Sequence, residues 1–567
     1  MKKRKLTRII AISLAMAMVF GGCGKKGVTD PKDVSENTPT TNPVVNEPVE
    51  ITSELTGLEF IKTLPKLSEE KVEFTIVNAL QPDQMDYNNM ELFKAMEEAT
   101  NVHINWECYD NASYSDQKNI MLASNDLPDA FFGYEALSMS DINAYGPMGM
   151  FIPVDDLIEK YGTNYKERLA QEPILDGLST AFDGNKYTWG TVNASPSRDF
   201  PDNLYINKTW LDKLNLEIPT TMEEYYTVLE AFKTQDPNGN GIADEIPYTF
   251  VSFHHIQGYG SFFGAYGQAE TFNGKSGNTM NHFVVVDDKV QFNPITEEYK
   301  NAIKSLKPFF EAGLFDNEGF VQDTSQFNAK VTAATPIVGS MYIWDLTALP
   351  EDVKEQYVAI QPLKASEESD SAYVRKRQNH ISIQPTGFAI TKECKNADIL
   401  AQWIDLFYSD DMSVLSYAGL DCVRSVDGVF TYDESLSETG ESLMTVAQRE
   451  NPYDGSPKYL TQDMRDNLFP LKSGQTDKTD VISQYYSSAK NITLSLPSMN
   501  LTNEESDTVN SYGIDIQNYV DTNHCNWLLG KSDIDADWDS YLAQLENLQL
   551  EEYLTIMQTA YDRTAAK

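Results

Sequence analysis

Residues 72–132 read VEFTIVNALQPDQMDYNNMELFKAMEEATNVHINWECYDNASYSDQKNIMLASNDLPDAFF. Apolar side chains alternate well enough through VEFTIVNAL, residues 72–80, for a strand. MELFKAMEEATN, residues 90–101, puts Leu92, Met96 and Ala99 on one helical face, with Asn101 placed to cap its end. VHINWECY, residues 102–109, reads as a second strand. A helix follows, breaks at Leu127–Pro128, and leads to a third strand over residues 130–132. This β-α-β-α-β order implies a parallel sheet with helices on both faces. Such sheets bind ligands beyond the carboxyl ends of their strands. Asp86 and Tyr87, past the first strand, and Tyr134, past the third, are candidates on that ground.

The middle of the chain, about residues 202–364, repeats the mixed α/β character. NLYINKTWLDKL runs from strand into helix. In PTTMEEYYTVLEAFKTQD, Thr220 or Thr221 can cap a helix, and Glu223 and Glu224 suit its first turn. TPIVGSMYI, residues 335–343, is a strand candidate ending at Trp344–Asp345. SIQPTGFAIT, residues 382–391, precedes a helix carrying Trp403, Leu406 and Phe407. One C-terminal helix is expected over about residues 537–563, with Trp538, Tyr541, Leu545, Leu548, Leu554 and Met557 on its core face. Trp210, Trp403 and Trp538 sit at apolar helical spacing and read as core.

The chain has 567 residues, 44 Lys and Arg against 85 Asp and Glu, and a net charge of −41. With 41% apolar and 11% aromatic residues it is not a disordered chain. Its acidity argues against nucleic acid as a partner. The first 22 residues are the exception: Lys2, Lys3, Arg4, Lys5 and Arg8, no acid, then an apolar run over residues 9–20 broken by Ser13. That run is too short to span a bilayer and suits a signal peptide over 1–22. Gly21-Gly22-Cys23 resembles the bacterial lipoprotein signal, which implies that Cys23 is acylated (palmitate being one such chain) and becomes the new N-terminus. Without the leader, 39 basic residues face 85 acidic ones, a charge of −46. Thr, Pro, Asn and Glu dominate residues 24–53 and read as a tether; tether and lipidated cysteine together are assigned to 23–70. Cys108, Cys394, Cys422 and Cys525 show no metal spacing, and either disulfides or free thiols fit them.

The strongest local motif is DPNGNGIADEIP, residues 236–247. Asp236, Asn238 and Asn240 stand at positions 1, 3 and 5 of a loop with Gly241 at 6, the opening of an EF-hand calcium loop. Ile242 would give its carbonyl. Position 12 is Pro247 rather than Glu, so Asp244 and Glu245 would supply the missing carboxylates. A structural calcium is expected; a plain Asn-Gly turn is the alternative.

This loop and its flanks, LYINKTWLDKLNLEIPTTMEEYYTVLEAFKTQDPNGNGIADEIPYTF, resemble extracellular solute-binding proteins: lipoprotein substrate-binding components of carbohydrate ABC importers in Gram-positive bacteria. IMLASNDLPDAFF, FIPVDDLIEKYGTNYKERLAQEP and DADWDSYLAQLENLQLEEYLTIMQTAYDR fit the same family. The resemblance implies an α/β, two-lobed, type II periplasmic-binding architecture with a hinge. It carries calcium binding onto Asp236, Asn238, Asn240, Ile242, Asp244 and Glu245. It implies a sugar ligand, permease partners, a lipid anchor on the outer face of the membrane, a monomer and no catalysis. Lobe 1 is expected over 71–200 plus about 385–445, and lobe 2 over 201–384 plus about 446–567.

A sugar ring is held by stacking on aromatic faces and by hydrogen bonds from Asp, Asn or Arg. Trp344 beside Asp345 is the foremost stacking candidate, followed by Trp189, then Tyr134 and Asp86–Tyr87; His255, with His254, lies in a Gly- and aromatic-rich stretch. An exported glycan-processing enzyme and a ligand-binding sensor without a transport role are the rival readings. No GxSxG or HExxH supports the first.

Overall fold

Nine-residue strands Val72–Leu80 and Val102–Asp110 pair in parallel along their whole length, and Ala130–Phe132 joins the other side of the first. These come from a computed structural model that describes residues 53–81, 84–133, 136–193, 199–273, 279–346, 349–377, 383–433, 443–468, 481–486, 489–497, 499 and 501–565. The leader, Cys23, nearly all of the tether's proline-rich stretch and Tyr134 lie outside the described residues. Helix Glu91–Thr100 links the first two strands and ends at Asn101, whose left-handed backbone (φ 64°) lets its N–H bond the Glu97 carbonyl.

The sheet is mixed rather than purely parallel. Ile383–Ile390 runs antiparallel to both Ala130–Phe132 and Trp189–Asn193, giving six strands with Tyr459–Leu460 at one edge and Val102–Asp110 at the other. A late segment enters from the opposite direction, which a reading of consecutive β-α-β units cannot foresee. Its register slips between Gln384 and Phe388, where a Cβ on Gly387 would stand 2.6 Å from Thr191 Oγ1. One face of this sheet carries a large apolar core in which Phe93, Trp106, Phe132 and Trp403 pack at centroid distances of 4.6–6.5 Å.

Two domain bounds shift. The tether expected to residue 70 gives way sooner. Leu55–Thr56 pairs with Cys422–Arg424, Thr56 and Glu59 form a capping box, and helix Gly57–Ile61 buries Phe60 and Ile61 in the first core. Secondly, Tyr459, Leu460 and Leu468, assigned above to lobe 2, also belong to the first core. The Gln84 amide donates to the Asn451 carbonyl at 2.8 Å, tying that late segment to the end of the first strand.

A second core surrounds a four-stranded sheet ordered Tyr357–Ala359, Asn203–Asn207, Val338–Ile343, Ile246–Thr249. Asn207 caps helix Lys208–Leu214 and Thr221, with Glu224, caps Met222–Thr234. The C-terminal stripe faces the second core as expected, with Trp538, Tyr541, Leu545 and Met557 buried and Leu548 and Leu554 partly covered, but it is divided between two helices, Ile534–Asn547 and Leu550–Ala565, separated at Gln549 with φ 68°. Among the described residues no helix is long and apolar enough to cross a membrane.

Inside the second core lies a charged network. His282, fully buried, places Nε2 2.8 Å from Asp521 and Nδ1 3.3 Å from Glu270. His524 bonds Tyr259 and Tyr299 through its two ring nitrogens, at 2.7 and 2.5 Å. Burial opposes a charge on His282, but the two carboxylates outweigh it and raise its pKa to about 9. Burial, then the neighbouring His282 charge, lowers that of His524. A raised folded-state pKa stabilises fully below the unfolded value and is lost as pH climbs through the folded one. Stability should therefore fall by about 3 kcal/mol between roughly pH 6.5 and 9. Urea unfolding across that range checks it, and His282→Gln should flatten the slope.

Candidate functional site

The second sheet brings two distant segments to one edge. Asn203 pairs with Ile343 in antiparallel register, so Asp202, just before one strand, stands beside Trp344, just after the other. Asn203 Nδ2 donates to the Trp344 carbonyl at 3.0 Å and fixes the backbone there; the indole is half-buried, as is Asp345. Asp202 is buried and paired with Arg375, whose Nη2 and Nε lie 2.7 and 3.3 Å from Oδ1. Ser261 donates to the other carboxylate oxygen, and Arg375 also donates to the His255 carbonyl.

The His254 and His255 rings stack at 4.7 Å and 21°. His254 Nδ1 accepts from the N–H groups of Ile256 and Gln257 at 3.1 and 3.0 Å. Burial, then Arg375 and Arg377, lowers the His254 pKa to about 4. Burial, then Arg377, His254 and Arg375, lowers that of His255 to about 2. Both imidazoles are therefore neutral at ordinary pH and act as hydrogen-bonding groups rather than cations. Trp344 thus stands beside Asp202 at the sheet edge, and the His255 backbone carbonyl meets Arg375 of the Asp202–Arg375 pair, while Asp345 follows Trp344 in the chain. Neither member of that pair had a sequence signal, since they lie far apart in the chain and each looks like an ordinary surface charge.

The first-sheet candidates turn out differently. Trp189 is fully buried, its ring 5.7 Å from Phe388, and offers no face to a ligand. Its strand is buried on both faces, so the indole packs inward. Tyr87 is also core, between Phe93, Trp106 and Phe132, and burial raises its hydroxyl pKa. Asp86 is exposed but caps the turn Tyr87–Asn89, accepting from the Asn88 N–H at 2.8 Å. Cavities of about 320 and 360 Å³ occur elsewhere, beside Asp129 and beside Asp370, and include no sequence-predicted ligand residue. The cysteines Cys108, Cys394, Cys422 and Cys525 are free thiols, with Cys394 and Cys422 buried.

The loop after Met222–Thr234 has the turns expected of an EF-hand opening. Asp236, at φ 48°, accepts from the N–H groups of Gly239 and Gly241 at 2.9 and 3.1 Å. The side-chain oxygens of Asn238 and Asn240 accept from Asn240 and Ile242 N–H. Asp244, however, receives both asparagine amides at 3.0–3.1 Å. Among the described residues no group of three or more His, Cys, Asp or Glu by itself marks a metal position, so any calcium site here would draw on the Asn and carbonyl oxygens as well. Amide donors screen Asp244. Glu245 retains a buried Oε1 without a hydrogen-bond partner, and burial, with Asp236 and Asp244 nearby, raises its pKa. A hard oxygen donor set with an unsatisfied carboxylate oxygen fits calcium chemistry.

The chain matches the family model described as bacterial extracellular solute-binding protein over residues 81–413. It is 30% identical over 515 residues to the fructooligosaccharide ABC transporter substrate-binding protein FusA of Streptococcus pneumoniae, spanning 89% of this chain and 92% of that one. FusA solved in complex with kestose is similar at a TM-score of 0.75 and 28% identity, over 87% of this chain and 100% of the other. A FusA EF-hand mutant in complex with fructo-nystose is similar at 0.73 and 27%, with coverage of 87% and 100%. The family binds solutes rather than turning them over. With more than half of its length matched, and with an α/β fold of several mixed sheets shared with FusA, the chain belongs to the bacterial extracellular solute-binding proteins.

Proposed function

We propose that this protein captures a short oligosaccharide outside the cell and delivers it to an ABC importer. The observation that carries the reading is its likeness to FusA over nearly the whole chain. Chemistry at the second-sheet edge agrees: a half-buried indole, a buried Arg–Asp pair and two neutral imidazoles suit a polyhydroxylated ring. Two lobes would follow the two apolar cores, one built largely by the early strands with Ile383–Ile390 and Tyr459–Leu460, the other by the middle and C-terminal elements. Ligand contacts from both would favour hinge closure. The basic-apolar leader and Cys23 support export and a lipid anchor, with residues 24–52 holding a monomeric body off the membrane.

An intrinsic-fluorescence screen with neutral oligosaccharides tests this. A saturable change with at least one of them is expected. No response to any, in the presence of a responding peptide or amino acid, would refute the carbohydrate reading.

Calcium belongs to the same proposal. Asp236, Asn238, Asn240, the Ile242 carbonyl, Asp244 and Glu245 would hold it, and its charge would neutralise the carboxylates around Glu245. Binding to the folded state alone stabilises that state, so chelation should lower Tm by roughly 2–5 °C. Asp236→Ala should abolish that sensitivity. A Tm that is unchanged after chelation, in protein that elemental analysis shows the chelator has stripped of metal, and unchanged again when calcium is added back would count against the site.

A further inference from the structure

With Tyr87 and Trp189 in the core, the carboxyl edge of the first sheet needs another ligand-facing group. Asn193 ends its strand there and pairs with Leu460, which leads into helix Gln462–Leu468. Arg465, on that helix, donates to Asn193 Oδ1 and, at 2.8 Å, to the Tyr417 hydroxyl. Asn193 Nδ2 donates to Asp454 Oδ1 at 2.8 Å. The Arg465 guanidinium lies 4.5 Å from the Tyr417 ring centre, and Tyr453 stacks on Tyr417 at 4.6 Å and 22°. Tyr417 is buried, whereas Tyr453, Asp454 and Arg465 are only partly covered. Arg465 Nε is buried without a hydrogen-bond partner.

The backbone of Tyr453 is the unusual feature. Its φ is 50°, a left-handed conformation that a bulky side chain rarely adopts. The surroundings enforce it. Lys458, fully buried, donates through Nζ to the carbonyls of Tyr453 and Ser456 at 2.8 and 3.0 Å. Gln84 holds the Asn451 carbonyl, and a Cβ on Gly455 would meet the Tyr87 hydroxyl at 2.9 Å. Strain held in place by this many contacts, at a strand-end rim, marks a residue positioned for use.

We propose that Tyr453 is the first lobe's stacking platform, and that Asp454, Asn193 and Arg465 beside it read the hydroxyls of the ring lying on it. The inference rests on the carbohydrate reading above. Tyr453 offers an aromatic face to the C–H side of a neutral sugar. Asp454 accepts from, and Arg465 donates to, adjacent hydroxyls, and their existing bonds through Asn193 preset both orientations. Lys458 is a positioning residue for the turn.

The test is calorimetric titration of kestose and a panel of other neutral oligosaccharides into wild type, Trp344→Ala, Tyr453→Ala, Tyr453→Phe and Asp454→Asn. Tyr453→Ala should weaken binding by about ten-fold or more, and Tyr453→Phe should retain it. Asp454→Asn should alter the order of preference among sugars, which a purely structural role would not do. A wild type that binds no sugar overturns the carbohydrate reading itself. A wild type that binds, together with a folded Tyr453→Ala that binds equally well, overturns only the platform.

Discussion

Arg375→Ala should destabilise the protein by about 3–5 kcal/mol, the scale seen when one partner of a buried ion pair is removed. Both side chains of the Asp202–Arg375 pair are under a tenth exposed, so water screens neither. The carboxylate left behind would retain Ser261 as a donor but lose its counter-ion and two N–H bonds. It also stands near the buried phenols of Tyr248, Tyr342 and Tyr486, which cannot neutralise it. The loss is of a partner rather than of a favourable surface pair. Asp202→Asn combined with Arg375→Met should therefore recover much of the stability that Arg375→Ala removes. Urea unfolding of wild type and the two variants measures this. A loss under about 1 kcal/mol for Arg375→Ala would mean that water reaches Asp202.

Trp344→Ala should weaken oligosaccharide binding roughly 30-fold, about 2 kcal/mol, the size of a central aromatic contact. Trp344 is only half-buried at the end of its strand. The backbone carbonyl is held by Asn203 whatever the side chain, so the change should act on the ligand more than on the fold. Trp344→Phe keeps a stacking face and should lose far less. Equal affinity in Trp344→Ala and wild type would move the stacking role elsewhere.

Much of the scaffold was legible in the sequence because local chemistry marked it. The strands Val72–Leu80 and Val102–Asp110 carry enough alternation, Asn101 and Thr221 are the caps their residue types suggest, and Trp210, Trp403 and Trp538 are core. The misses share one cause: the deciding contact was non-local. Trp189 looks like a ligand aromatic until its strand is found buried on both faces. Tyr87 follows a strand end as a rim residue would, yet the turn Tyr87–Asn89 folds it inward. Asp202 and Arg375 meet only after the chain has built a whole sheet between them. The break at Gln549 has no glycine or proline to announce it, and no shift in composition shows that Tyr459–Leu460 returns to the first sheet. The calcium loop sits between these cases. Its turns follow from Asp and Asn spacing, while the side chains of Asp244 and the asparagines satisfy one another.

The central claim is that a sugar lies between the carboxyl edge of the first sheet and the Trp344 edge of the second. A crystal structure of the exported protein with a bound oligosaccharide, kestose or whichever sugar the screen selects, tests it most directly. The predicted result is one ring on Trp344, another on Tyr453, and hydroxyls within hydrogen-bonding reach of Asp345, Asp454 or Arg465. A sugar seated instead in the cavity beside Asp129 or beside Asp370, with Trp344 and Tyr453 untouched, would contradict the account.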